Sequence, residues 1–180
     1  MISLSKILSE ERTSESIEYG CLMAEIPASI CNKLVTFGNK LISEEDLYKE
    51  GEEFGREKEC HVTIKYGFTG NLNAEDIKSI LDGVVDFKIS INKIGMFSSK
   101  DKPFDVVKFD VVKDEALMKL NKRCNEFPHE DTYPGYNPHV TIAYVKKGKF
   151  KHGEIPINLV IPIHTVCYST VDNKKSYYKV

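Results

Sequence analysis

Apolar positions along this chain change their period several times, and each change marks a predicted element. Residues 19–26 (YGCLMAEI) form the short apolar-rich run of a strand. Pro27 then opens a stretch in which Ile30, Leu34, Phe37 and Leu41 recur every three or four positions, the spacing of one helix face. Residues 43–60 are dense in Glu and carry Gly51 and Gly55, which predicts a solvated loop with about one helical turn. Branched and aromatic residues return at 61–68 (HVTIKYGF), a strand. A helix is predicted over 73–84, capped by Asn73, with Ile77, Ile80 and Leu81 on one face. Residues 87–97 and 105–113 read as strands, and 114–127 as a helix with Ala116, Leu117, Leu120 and Cys124 inward. A loop at 128–138 leads to a strand at 139–145 (HVTIAYV) and a basic turn. One long strand over about 159–171 and a short terminal strand ending at Val180 close the chain. Ahead of all this, Leu4, Ile7 and Leu8 predict an arm or short helix at 1–18, leaving a single domain over 19–180. The order is mixed rather than regularly alternating, the pattern of an α+β fold.

Composition narrows the possibilities. The longest unbroken apolar runs are four residues, at 21–24 and 142–145, whereas a membrane span needs about twenty. No membrane partner is expected. The N-terminus has no apolar core of signal-peptide length, so a cytoplasmic location is expected. Five cysteines without a Cys-x-x-Cys predict neither a disulfide framework nor a zinc site. The formal charge of −2 argues against long nucleic acid as a partner, because a backbone-binding protein must replace condensed counterions. That charge is unevenly spread: −6 over residues 1–60, −1 over 61–140 and +5 over 141–180. The last forty residues are therefore a candidate anion-attracting patch.

One repeat rises above this background. His61-Val62-Thr63-Ile64-Lys65-Tyr66 recurs 78 residues later as His139-Val140-Thr141-Ile142-Ala143-Tyr144, identical at five of six positions. Each copy follows a predicted strand, helix and loop, so the two halves share one plan. Strict strand alternation puts His61, Thr63 and Lys65 on one face and His139, Thr141 and Ala143 on another, with Val62, Ile64, Tyr66 and Val140, Ile142, Tyr144 opposite. The apolar triplets are expected to pack under the helices of their own halves. If the halves close about a two-fold axis, two imidazoles and two hydroxyls converge.

That set of groups suits phosphoester chemistry. An imidazole titrating near neutrality serves as base or acid, and two of them flanking one phosphorus divide those roles. Thr63 and Thr141 can donate to the non-bridging oxygens, and Lys65 can add positive charge. Neither His has neighbours at metal-ligand spacing, so no metal is expected. The near-symmetric sequence leaves open which His is base and which is acid.

The paired HVTI motifs resemble those of the two-histidine (2H) phosphoesterase superfamily, over about residues 19–171. The resemblance implies a bilobal, pseudo-two-fold fold with two antiparallel sheets forming a central cleft and helices outside. It implies an active site of His61, Thr63, His139 and Thr141, with no cofactor. Within the superfamily the chain is most similar to phage enzymes that degrade the cyclic oligonucleotide messengers of bacterial CBASS immunity. The compact length, the early Tyr-Gly-Cys-Leu-Met strand and the Tyr66-Gly67 pair carry that likeness. It implies a metal-independent phosphodiesterase cleaving 3′–5′ linkages of cyclic di- and trinucleotides in a host bacterial cytoplasm. Such enzymes stack bases on aromatic side chains; this chain has no Trp, and Tyr19, then Tyr133 and Tyr136, are the candidates. Two rival activities stay open: an RNA-end enzyme for 2′,3′-cyclic phosphates or 2′,5′ linkages, and a non-catalytic module that sequesters a nucleotide.

Overall fold

Each half of the chain runs strand, helix, strand, and in each half the two strands pair antiparallel. The first half comprises β1 (Gly20–Glu25), α1 (Ala28–Leu41) and β2 (His61–Phe68). After α2 (Ala74–Leu81) and β3 (Lys88–Ser98), the second repeats the plan with β4 (Phe104–Val111), α3 (Glu115–Cys124) and β5 (His139–Lys146). Strands β6 (Ile155–Pro162), β7 (Thr165–Ser169) and β8 (Lys175–Lys179) finish the fold. The structure, a computed structural model, describes residues 19–51, 54–131, 133 and 135–180. The arm expected at 1–18 lies outside the described residues.

Two four-stranded antiparallel sheets result, ordered β2-β1-β7-β8 and β5-β4-β3-β6. The α+β class is as the element order implied, and the two-sheet plan is as the resemblance implied. The single strand expected at 159–171 is instead two strands in different sheets. Pro156 and Pro162 cannot donate to a ladder, which confines β6 to the edge of the second sheet. The chain then crosses at 163–164, where the Ile163 N–H donates to the Phe87 carbonyl (2.8 Å), and enters the first sheet as β7. A single apolar cluster runs through both halves, from Leu22 and Ile64 to Phe109 and Val140. Among the described residues no helix is long and apolar enough to cross a membrane.

The helices do not lie where the sequence places them. α1 packs against β5, and α3 against β2, so each helix covers the motif strand of the other half. The contact of α1 is close: a Cβ on Gly38 would lie 2.4 Å from Ile142 Cγ2. Accordingly the buried stripe of α1 is Cys31, Leu34 and Gly38, while Phe37 is exposed. On α3 the inward residues are Leu117, Leu120 and Cys124; Ala116 faces solvent. Asn73 caps α2 as expected, its side chain accepting from the N–H groups of Glu75 and Asp76. Gly83, at φ +66°, turns the chain soon after Leu81, so that helix ends earlier than the periodicity indicates. The cysteine arithmetic also needs correction. Cys31 of α1 and Cys60, just ahead of β2, form a disulfide pair with Cα atoms 5.4 Å apart; Cys21, Cys124 and Cys167 are free.

The sheets meet along their edges. β2 and β5 are both terminal in their sheets and lie against each other. Each leaves a row of backbone groups that its own sheet does not satisfy. The segment before β2 straps the free edge of β5: the Tyr48 N–H donates to Tyr144 O (3.0 Å), Tyr144 N–H to Gly55 O (2.8 Å) and Glu57 N–H to Ile142 O (2.9 Å). The segment before β5 returns the contact to β2. Asn121 Nδ2 donates to Ile64 O (2.7 Å), the Tyr136 hydroxyl to Thr63 O (3.0 Å) and the Glu130 N–H to Gly67 O (2.8 Å). Gly38→Val should therefore lift α1 from β5. Overpacking of this kind costs about 1–3 kcal/mol, read as a lower urea midpoint with unchanged slope. An unaltered midpoint would show that the close approach is not needed.

Candidate active site

Both motif strands break the alternation at the same place. Opposite Leu22 the first strand advances by two residues, so Ile64 is the extra residue of a bulge; opposite Val107, Ile142 is the extra residue in the second. Burial follows this register in each strand. Val62, Ile64 and Lys65 are buried on one face of β2, and His61, Thr63 and Tyr66 lie on the other; in β5, Val140, Ile142 and Ala143 are buried, and His139, Thr141 and Tyr144 share the open face. The His and Thr pairs thus sit on open faces of two strands that lie side by side. The bulges overturn the expected faces of Lys65, Tyr66, Ala143 and Tyr144.

Both imidazoles are held alike. His61 Nδ1 lies 2.9 Å from the Glu59 carbonyl and His139 Nδ1 2.8 Å from that of Asn137. A carbonyl only accepts, so Nδ1 carries the proton and Nε2 is left as the exchanging nitrogen. The surroundings of the two differ. Glu25 pairs with His61 and Met23 with Thr63, whereas Asp110 pairs with His139 and Lys108 with Thr141. Lys108 is buried, ion-paired to Asp110, and stands over the Phe97 ring at 4.1 Å. Phe97 also meets His139 edge-on, centroids 4.9 Å apart. Burial pushes the His139 pKa below the ordinary imidazole value. The positive charge of Lys108, and that of His61 in its charged form, add to this, against the Asn137 carbonyl and Asp110. Gly95 makes room for the pair, since a Cβ there would lie 2.7 Å from Asp110 Oδ2.

The other candidates separate. Tyr19 stands edge-on to Tyr66, centroids 5.6 Å apart, and its hydroxyl donates to Glu130 Oε2 (2.5 Å). Gly67 lets the Glu130 loop close on this pair; its φ is +110°, and a Cβ would fall 2.1 Å from the Glu130 carbonyl oxygen. Tyr133 is exposed, whereas Tyr136 packs on the core and spends its hydroxyl on the backbone of Thr63, a brace for the strand rather than an open stacking surface. Lys65 points away from the motif face and donates to Asn125 Oδ1 (2.8 Å) and Asp131 Oδ1 (2.7 Å). Four lysines of the basic C-terminal section are engaged in ion pairs: Lys147 with Asp105, Lys149 with Asp46, Lys174 with Asp172 and Lys175 with Glu59. The cation on the motif face is Lys108, which periodicity could not single out within DVVKFDVVK because the bulge sets its partner. Among the described residues no three His, Cys, Asp or Glu side chains group as metal ligands.

The family described as the 2′-5′ RNA ligase superfamily matches residues 45–152, which include both motifs. Solved structures resemble this fold. A phosphoesterase shares 11% identity at a TM-score of 0.56, covering 91% of this chain and 95% of its own. Escherichia coli LigT complexed with 3′-AMP shares 10% identity at 0.56, with the same coverage. Kluyveromyces marxianus Usb1 shares 10% at 0.56, covering 91% of this chain and 98% of its own. At such identities the likeness is one of fold. No curated protein sequence matches the chain.

Lys108→Met would give the second half the residue type that Met23 supplies in the first. It removes a positive charge that disfavours the imidazolium and leaves Asp110 unpaired, and both changes raise the His139 pKa. In an NMR titration the His139 resonance should therefore move at higher pH than in the parent protein. A shift to lower pH would contradict this electrostatic arrangement.

Proposed function

This chain belongs to the 2′-5′ RNA ligase superfamily, and from that premise we propose that it is a metal-independent phosphodiesterase for the 3′–5′ linkages of cyclic di- and trinucleotides. A phage would use such an activity to evade bacterial CBASS defence. The observation that carries the reading is the pair of His-x-Thr sets on the open faces of two facing edge strands, each imidazole with Nδ1 engaged. The finer assignment to cyclic messengers draws on the sequence resemblance and on the Tyr19–Tyr66 pair beside the motif face.

In this mechanism the phosphodiester lies between the imidazoles. His139, whose pKa is pushed down by burial and by Lys108, takes the proton of the ribose 2′-hydroxyl at Nε2. The 2′-oxygen attacks phosphorus, the bond to the 5′-oxygen breaks, and that oxygen takes the Nε2 proton of His61, which enters the step as the imidazolium and leaves it neutral with its Nδ1 proton kept. The product is a linear nucleotide with a 2′,3′-cyclic phosphate. Thr63 and Thr141 donate to the non-bridging oxygens as charge builds, and Lys108 supplies fixed positive potential to the same face.

His61→Ala and His139→Ala should each lower turnover about 10²- to 10⁴-fold while leaving the unfolding transition in place. Near-parental turnover in either would remove that His from the chemistry. Replacing the attacking ribose by 2′-deoxyribose should block cleavage, and rapid cleavage would mean that water is the nucleophile. Substrate class is decided by mass spectrometry of products from cyclic oligonucleotides, 2′,5′-oligoadenylate and RNA with a cyclic-phosphate end, with EDTA present. Cleavage of the cyclic compounds is expected; exclusive cleavage of the others would make this an RNA-end enzyme, and bound but intact ligand a sequestering module.

A further inference from the structure

The backbone approaches the two motif histidines by the same path, and the paths differ at one residue. His61 Nδ1 meets the carbonyl of Glu59, and His139 Nδ1 that of Asn137. The carbonyl between, of Cys60 or of Pro138, accepts from the neighbouring strand's end: from the Ile26 N–H in the first half and the Val111 N–H in the second, both at 3.2 Å. Cys60 and Pro138 are both buried. What holds them is different. The Pro138 ring fixes its own φ and leaves no N–H to satisfy. Cys60 has no ring; it is joined instead to Cys31 of α1, whose sulfur also accepts the Cys60 N–H (3.2 Å).

We propose that Cys60 is a positioning residue for His61, and that its disulfide with Cys31 makes the first half of the site responsive to redox state. Closed, the disulfide restrains residues 59–61 as the proline ring restrains 137–139, and so keeps the Glu59 carbonyl where His61 Nδ1 needs it. Its anchor is firm, because α1 is seated on β5. The link thus ties the entry of one motif strand to the helix that covers the other. Opening it takes two electrons and two protons from a small dithiol, which becomes a disulfide in turn and leaves thiols at Cys31 and Cys60. The open pair keeps hydrogen-bond partners: the Cys31 thiol can donate to the Lys58 carbonyl (3.6 Å) and the Cys60 thiol to the Cys31 carbonyl (3.7 Å). The fold therefore accommodates both states. The other ties of this segment lie upstream of His61. Glu57 N–H donates to Ile142 O, and the Glu57 carboxylate accepts from the N–H groups of Lys58 (2.9 Å) and Glu59 (3.0 Å). With the disulfide open, no covalent restraint lies between that turn and the imidazole, and Nδ1 loses its fixed partner. His139 keeps its proline and does not respond.

The effect on turnover rests on the phosphodiesterase reading, whereas the effect on His61 is read directly. Thiol titration in denaturant should find three free thiols before reduction and five after it; five from the outset would overturn the proposal. NMR of nitrogen-labelled imidazoles, at a pH where both rings are neutral, should show His61 as a single Nδ1–H tautomer in the oxidised protein. After dithiothreitol it should average between tautomers, with His139 unchanged. On a cyclic dinucleotide, kcat should fall about 10- to 100-fold on reduction with KM little altered. Cys31→Ala, which cuts the link from the side of α1, should show the reduced behaviour without dithiol. Cys60→Pro copies the second half and should keep His61 in one tautomer whether or not dithiol is present. A His61 signal that full reduction or Cys31→Ala leaves unmoved would overturn the positioning role. So would equal changes at His61 and His139, or a folded Cys60→Pro protein whose His61 averages between tautomers. If His61 responds as described but no phosphodiester is cleaved in either state, the positioning stands and only the phosphodiesterase reading falls.

Discussion

The open backbone edges of β2 and β5 need hydrogen-bond partners, and the fold supplies them from the opposite half. The segment that precedes β2 straps β5, and the segment that precedes β5 braces β2. An exposed strand edge would otherwise invite pairing with another chain. Meeting this demand by exchange does more than block aggregation. It sets the two motif strands against each other, with α1 seated on β5 and α3 on β2. Neither half could present its motif in this way alone.

Within that frame the two bulges set which side chains face outward together. In a regular strand Lys65 and Ala143 would share the faces of the histidines, and Tyr66 and Tyr144 would be buried. One extra residue within each motif, Ile64 and Ile142, reverses this, burying Lys65 against Asn125 and Asp131 and turning both tyrosines outward. Bulges beside functional groups re-aim side chains at small cost to the rest of the ladder. Their presence at matching positions keeps the two halves alike in geometry.

Charge breaks the symmetry that geometry preserves. Beside His61 and Thr63 the neighbouring strand offers Glu25 and Met23; beside His139 and Thr141 it offers Asp110 and Lys108. In the proposed mechanism, proton transfer in opposite directions by two identical side chains needs such a difference. Here it comes from one buried lysine, its carboxylate partner and the Phe97 ring that both Lys108 and His139 contact.

Much of this was legible in the sequence because it depends on local order. The repeated His-Val-Thr-Ile, the helix spacing, the Asn73 cap and the mixed succession of strands and helices indicate the α+β class and the two-fold plan, and they single out His61, Thr63, His139 and Thr141 as candidates. What failed depends on contacts between distant segments. Phe37 looked inward because helical spacing does not say which face a neighbour will cover, and Gly38 is the residue that Ile142 meets. The run at 159–171 looked continuous because its crossing between sheets is set by pairing with β1 and β3. Lys108 carries no motif at all; register across β4 and β5 sets it opposite Thr141. The chain's order determined which chemistry is present and in what plan. Only the tertiary structure decided how the groups face and which of the two histidines lies beside a buried lysine, because strand register, edge satisfaction and local potential arise between segments rather than within them.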